Sequence, residues 1–220
     1  MVNWQSVDTV LLDMDGTLLD LHFDSYFWLE HLPVRYAEQH QIDEQQARAH
    51  LHDRITREQG TLNWYCIDYW SEQLGVDIAA MKTEVVDKIA FRPHVTDFLD
   101  RLQRSDMRSV IVTNAHHGSL DLKVEITQLD QRVDAVICAH DFGLPKEDPA
   151  FWDLLQEVEP FNPDRTLLID DNLRVLDSAR QYGIRHLLSI VQPDSQRPPR
   201  QIDGYSAVEH FKDIFPDTEE

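Results

Sequence analysis

Val10-Leu11-Leu12-Asp13-Met14-Asp15-Gly16-Thr17 is an apolar run that stops at two carboxylates spaced two residues apart. On a strand that spacing turns both side chains to the same side. Gly16 permits a sharp turn, because no Cβ blocks a positive φ. Two acids at the carboxyl end of a buried strand, facing one opening, repel each other unless a cation or a shared proton offsets them. A hard divalent cation with oxygen ligands meets that need: Mg²⁺ first, with Mn²⁺ or another divalent ion as substitutes. A calcium loop starting at Asp13 would want glycine at its sixth position, where the chain has Leu18.

Downstream of this run the character changes. Residues 19–91 show helical periodicity, many aromatics and no convincing strand, and read as an inserted α-helical cap. Asp43 opens one helix, with Ala47, Leu51 and Ile55 on a face. Leu62, Tyr65, Tyr69 and Leu74 form a second stripe that Gly75 closes, and Asp77 opens a third helix carrying Met81, Val85 and Ile89. Pro93 is expected at the first position of a helix bearing Val95, Phe98, Leu99 and Leu102. From there strands and helices alternate: strand 109–112, helix 120–129, strand 133–138, a helix opened by Asp148-Pro149, strand 166–169, a helix from Asn172 to Gly183, and strand 184–190. Residues 193–204 read as a surface loop, and Val208, Phe211 and Phe215 as a short closing helix. The alternation predicts an α/β fold: a mostly parallel sheet with helices on both faces, built from residues 1–18 and 92–220.

Composition narrows the partners. Among 220 residues, 40 acidic side chains face 20 basic ones, for a formal charge of −20. Such a chain is disfavoured on nucleic-acid polymers and anionic membranes, so any phosphate it handles should be small and met locally. No stretch has the apolar length of a membrane span, and residues 1–6 lack the basic and apolar regions of a signal peptide, which points to the cytoplasm. Cys66 and Cys138 are far apart with no CxxC, so both are expected as reduced, buried thiols. The His116-His117 pair invites a metal, but adjacent residues point apart and spacing supplies no third ligand.

Three strands end in polar residues: Asp13 and Asp15, Thr113 and Asn114, Asp170 and Asp171, with Lys146 before a helix between the last two pairs. In a parallel sheet these converge on one edge. The carboxylates there suit a hard cation, while Thr113, Lys146 and backbone N–H groups suit phosphate oxygens, an inventory for phosphoryl transfer. In composition and order these residues resemble the haloacid-dehalogenase-like hydrolase superfamily. Asp13-Met14-Asp15-Gly16-Thr17 matches its first motif, Val112-Thr113 the second, Lys146 the third, and Leu168-Ile169-Asp170-Asp171 the fourth. The resemblance implies a Rossmann-like sheet with the first strand central. More closely the chain is similar to bacterial GMP/IMP nucleotidases of that superfamily, differing at His94, where many relatives have glycine.

On this reading Asp13 is the nucleophile that forms an aspartyl-phosphate, and Asp15 the general acid and then base. Asp13, the backbone carbonyl of Asp15 and Asp170 hold the cation, with Asp171 as a further ligand or a support behind them. Thr113 and Lys146 bind the phosphoryl oxygens with the N–H groups of Met14 and Asn114. An ester oxygen needs an acid and a halide does not, so Asp15 favours a phosphatase, although phosphomutases share it. Two alternatives fit the same motifs: a phosphatase for a small sugar or other metabolite phosphate, and a non-catalytic phosphate-binding or scaffolding protein. In the cap, Phe23, Tyr26, Phe27, Trp28, Trp64, Tyr65, Tyr69 and Trp70 either stack on a purine or pack the cap's own core, and Asn63, His22 and Arg57 either read a purine edge or are simply solvated.

Overall fold

In the computed structural model, which describes residues 2–216, the opening apolar run forms strand β1 (Thr9–Leu12), every residue of it buried. Six helices follow: α1 (His22–Tyr26), α2 (Leu32–His40), α3 (Glu44–Arg57), α4 (Leu62–Tyr65), α5 (Ile67–Leu74) and α6 (Ile78–Thr83). Then come α7 (Val95–Gln103), β2 (Arg108–Thr113), α8 (His117–Thr127), β3 (Ala135–Cys138), α9 (Ala150–Val158), β4 (Thr166–Ile169), α10 (Leu173–Tyr182), β5 (His186–Ile190) and β6 (Ser206–Val208). The strands make one parallel sheet of order β3-β2-β1-β4-β5-β6.

Period-two alternation explains how both faces are covered. Val10 and Leu12 pack on one side with Phe98, Leu99 and Leu102 of α7; Leu11 packs on the other with Phe151 and Trp152 of α9 and Leu176 of α10. Each such side chain contributes roughly 1.5–3 kcal/mol on burial. In this strand order the winding reverses between β1 and β4, and open α/β sheets bind ligands in the crevice at that reversal. Leu12 pairs with Ile169, so Asp13 and Asp170 leave the sheet side by side.

The helices α1 to α6 contribute a separate apolar cluster that includes Phe23, Phe27, Leu51, Trp70 and Ile78. A turn of π-helix, Phe27–His31, joins α1 to α2 ahead of Pro33. Pro33 has no N–H for the Leu29 carbonyl, which accepts instead from the Arg48 guanidinium. The two passages between this cluster and the sheet run together: Asp20 N–H donates to Ala90 O (2.9 Å), Arg92 N–H to Leu18 O (3.0 Å), and Leu19 bridges Phe91. Buried Arg92 fastens the junction through the carbonyls of Thr17, Gln192 and Glu209.

Several local expectations shift. The stripe from Leu62 to Leu74 breaks at Cys66, which is extended and caps α5 by accepting Tyr69 N–H on Sγ. The helix capped by Asp77 stops at Thr83, leaving Val85 and Ile89 outside it. Helix α8 starts before Leu120 because His116 caps it. Strand β6 is an unexpected addition; it is three residues long, it ends with Val208, and only a 3-10 turn at Phe211–Ile214 remains of the closing helix.

Helix α7 begins at Val95 rather than Pro93, because His94 adopts the left-handed conformation (φ 66°). A Cβ there costs about 1–2 kcal/mol, partly offset by the greater freedom that glycine has in the unfolded chain. His94→Gly is therefore expected to stabilise the protein by about 0.5–1 kcal/mol in urea melts. An unchanged or lower midpoint would mean that the edge contact of His94 with the His210 ring outweighs the backbone strain.

Candidate functional site

The strand ends bring the predicted residues together around one buried ammonium. Lys146 Nζ donates to Asp13 Oδ1 (2.6 Å), Asp170 Oδ2 (2.7 Å) and the Val112 carbonyl (2.9 Å). Burial opposes its charge, but Asp13 and Asp170 outweigh burial and hold Lys146 above the usual lysine range. Asp170 Oδ1 accepts Asn172 N–H (2.8 Å). Burial pushes Asp170 up to about 7 against the pull of Lys146, with Asp13 adding repulsion. Asp171 is raised well above the carboxylate range by burial and then by Asp13 and Asp170. Gly16 (φ 85°) lies so close that a Cβ would sit 2.8 Å from Asp171 Cγ.

Asp13, Asp170 and Asp171 place carboxylate oxygens within 4.8 Å of one another. Asp13 Oδ2 is buried without a hydrogen-bond partner. A buried anionic oxygen in that state is costly, and three carboxylates against one ammonium leave negative charge in excess, so the donor set fits a hard divalent cation. The Asp15 side chain is not in this group. Its Oδ1 pairs with Lys123 Nζ (2.6 Å), which leaves its backbone carbonyl for the ligand role expected of it.

Lys123 belongs to a second buried network that the sequence did not reveal. Its Nζ also reaches Asp24 Oδ2 (2.6 Å), and Asp24 Oδ1 holds Lys82 Nζ (2.6 Å), so a chain of alternating charges runs from Asp15 to α6. Burial pushes Asp15 up to about 6; Lys123 pulls it down, while Asp24 and Asp13 reinforce burial. Asp24 falls well below the usual range, because Lys123 and Lys82 together outweigh burial. Thr113 is buried and accepts Ala115 N–H (3.0 Å). The Asn114 side chain orients Lys146, accepting its backbone N–H at 2.9 Å. Glu147, also unforeseen, accepts from Tyr65 OH (2.6 Å), Asn114 Nδ2 (2.8 Å) and Asn172 Nδ2 (3.0 Å), tying α4 to two strand ends.

The family model of haloacid dehalogenase-like hydrolases matches residues 10–188. The chain belongs to that family. Over 215 residues, 98% of this hydrolase and 97% of the relative, it is 42% identical to the GMP/IMP nucleotidase YrfG of Escherichia coli, and equally to that of Shigella flexneri. Among solved structures, the HAD phosphatase from Thermococcus onnurineus superposes with a TM-score of 0.79 at 18% identity, covering 94% of this chain and 96% of that one, which shows a shared fold.

Above the carboxylates the hydrolase has a cavity of about 1160 Å³, whose floor includes Asp13, Asp15, Lys146 and Asp170. Its walls carry Trp28, Trp64, Gln45, Arg48 and His52 from the helical insertion and Arg200 from the loop 193–204. That loop is mostly exposed as expected, yet Arg200 turns back to donate to the Asp171 carbonyl (2.8 Å). Phe23, Phe27 and Trp70 pack the insertion's own core. Among the described residues, His22, Asn63 and Arg57 are not part of the cavity wall; Asn63 instead donates to Glu58. No helix among the described residues is long and apolar enough to cross a membrane.

The crowded carboxylates set the pH response of the metal-free protein. A carboxyl raised in the folded state binds its proton more tightly there than in the unfolded chain. Stability in EDTA is therefore expected to fall as pH rises from about 4, the unfolded value, towards the raised Asp170 value of about 7. Asp171→Asn should flatten that slope and stabilise metal-free protein at pH 7 by about 1 kcal/mol, an advantage that saturating Mg²⁺ removes by favouring the wild type. Denaturant melts with and without Mg²⁺ across this range check it; a steeper slope in the variant would contradict it.

Proposed function

We propose that the protein is a Mg²⁺-dependent phosphatase that hydrolyses purine nucleoside 5′-monophosphates, GMP and IMP above others, through an aspartyl-phosphate on Asp13. The observation that carries the reaction is Asp13 itself: one oxygen is fixed by Lys146, and the other is buried and unpartnered among the acidic side chains. The substrate reading is supported by the nearly full-length relative named a GMP/IMP nucleotidase, and by a cavity large enough for a nucleotide, with Trp28 and Trp64 offering faces on which a base can stack.

In this reading residues 19–91 are the cap, residues 1–18 and 92–220 the catalytic core. Asp13, Asp170, Asp171 and the Asp15 carbonyl would hold Mg²⁺, which supplies the positive charge that lets two anions approach. Lys146, Thr113 and the backbone N–H groups of Met14 and Asn114 bind the phosphoryl oxygens. The Asp13 carboxylate attacks phosphorus, forming a phosphorus–oxygen bond as the ester bond breaks. Asp15, raised towards neutrality and facing the cavity, gives its proton to the leaving alkoxide. It then takes a proton from the water that attacks the aspartyl-phosphate, and inorganic phosphate leaves. Lys123 holds one Asp15 oxygen in place and leaves the other for this transfer.

A panel of phosphate monoesters, assayed with Mg²⁺ and with EDTA, is expected to show highest kcat/KM for GMP and IMP, with no turnover in EDTA. Asp13→Asn should abolish phosphate release, and Asp15→Asn should lower kcat by about 100-fold or more. Equal or better turnover of sugar phosphates would replace the nucleotide assignment, and no release from any monoester with Mg²⁺ still bound would make the site a phosphate-binding one.

A further inference from the structure

We propose that Cys66, His116 and His140 form a second metal site, for a borderline-soft transition ion of the zinc class, and that an ion held there clamps the cap onto the core. The three residues are remote in sequence, yet their donor atoms lie within 4.8 Å of one another and all three are half-buried. Tetrahedral zinc, with bonds of about 2.3 Å to sulfur and 2.0–2.1 Å to nitrogen, sets its ligand atoms about 3.3–3.7 Å apart, so the site needs only a small closure.

The surroundings prepare the ligands. His140 Nε2 donates to the Asn114 carbonyl (3.1 Å), which leaves Nδ1 as the lone-pair atom. Burial keeps that ring neutral, pushed down to about 4, the form that binds metal. His116 also has its lone pair on Nδ1, in a long 3.4 Å contact with Gly118 N–H, while its Nε2 faces Asp68 Oδ2 at 3.7 Å. Thiolate and imidazole donors select zinc-like ions over Mg²⁺, so the two sites would not compete for one ion.

Position gives the site its consequence. Cys66 lies in the extended link between α4 and α5, while His116 and His140 follow β2 and β3. The two bodies already touch there: a Cβ on Gly118 would lie 2.8 Å from Ile67 Cδ1. The Asn114 that His140 engages is the residue that orients Lys146. A neighbouring group, His117, Cys138 and Asp141, brings its donor atoms equally close, but it spans no junction between the two bodies and its members are engaged elsewhere. His117 is already paired with Asp141 (2.7 Å), and the Cys138 thiol donates to the Ala115 carbonyl and is pushed up to about 11 by burial.

The assignment rests on ligand geometry, and its clamping effect is read without reference to the reaction. The full chain in excess Mg²⁺ is titrated with Co²⁺ and then Zn²⁺. Wild type is expected to show a thiolate-to-cobalt charge-transfer band at one equivalent, displaced by Zn²⁺, and slowed amide exchange across α4 and α5. Cys66→Ser and His116→Asn keep helix-capping side chains. The first should lose the band, and the second should bind at least about tenfold more weakly. If the phosphatase reading holds, Zn²⁺ at the same occupancy slows wild-type turnover and spares Cys66→Ser. No band, or equal binding by both variants, would overturn the site; a band without slowed exchange would overturn the clamp. A protein inactive on every phosphate ester would still report both.

Discussion

The ammonium of Lys146 is the interaction on which the molecule depends. It is fully buried and makes its three contacts with Val112 of β2 and with Asp13 and Asp170, the residues that directly follow β1 and β4, at the ends of three adjacent strands. Removing one partner from a buried ion pair costs about 3–5 kcal/mol, because the other charge is stranded, so the three strand ends cannot separate without leaving a buried charge unpaired. The same arrangement leaves carboxylate charge over, and the surplus sits where the winding of the sheet reverses. Fold and chemistry therefore share one constraint: the sheet must carry its acids at a single edge, where a cation or a bound proton has to offset their repulsion.

A second set of buried charges ties the insertion to this edge. Lys123 on α8 stands between Asp15 and Asp24, and Asp24 continues to Lys82. Each acid has a base beside it, which is the condition under which buried charges are tolerated. Lys82 also lies over the rings of Phe23 and Phe27, so aromatic faces share in holding its charge. Glu147 does the corresponding work on the other flank through Tyr65. The side chains that would touch the leaving group are thus set by contacts from two separately packed clusters.

Much of this could be read from the chain. Strand ends were legible because a buried parallel strand is a short apolar run, and β4 lies at its expected residues, 166–169. The caps by Asp43, Asp77 and Asn172 were legible because each follows from a short polar side chain before a periodic segment. Lys82 and Lys123 were not. A lysine on an amphipathic helix carries the same local signal whether its head meets water or a buried carboxylate, and only the docking of one cluster on another decides. Glu147 was in view beside Lys146, but its three partners come from distant segments. His94 carried a usable signal: the resemblance sets it where many relatives have glycine, and such a position marks a left-handed backbone, which His94 adopts. Cys66 was expected to be buried and is only half so, since the break between α4 and α5 that exposes it has no periodicity of its own.

The paired passages at Leu19 and Phe91 have a kinetic meaning. Strand β1 must find β2 across the whole insertion, as Thr9 aligns with Arg108. Closing so long a loop is entropically slow for a floppy segment. The intervening helices make their own apolar cluster from mostly local contacts, and their two ends emerge side by side. Once they have condensed, the separation that β1 must bridge shrinks to the width of that junction. The span between the insertion's two ends is thus set by the junction and not by the number of residues between them, so the reach that β1 and β2 must cover is independent of the insertion's length.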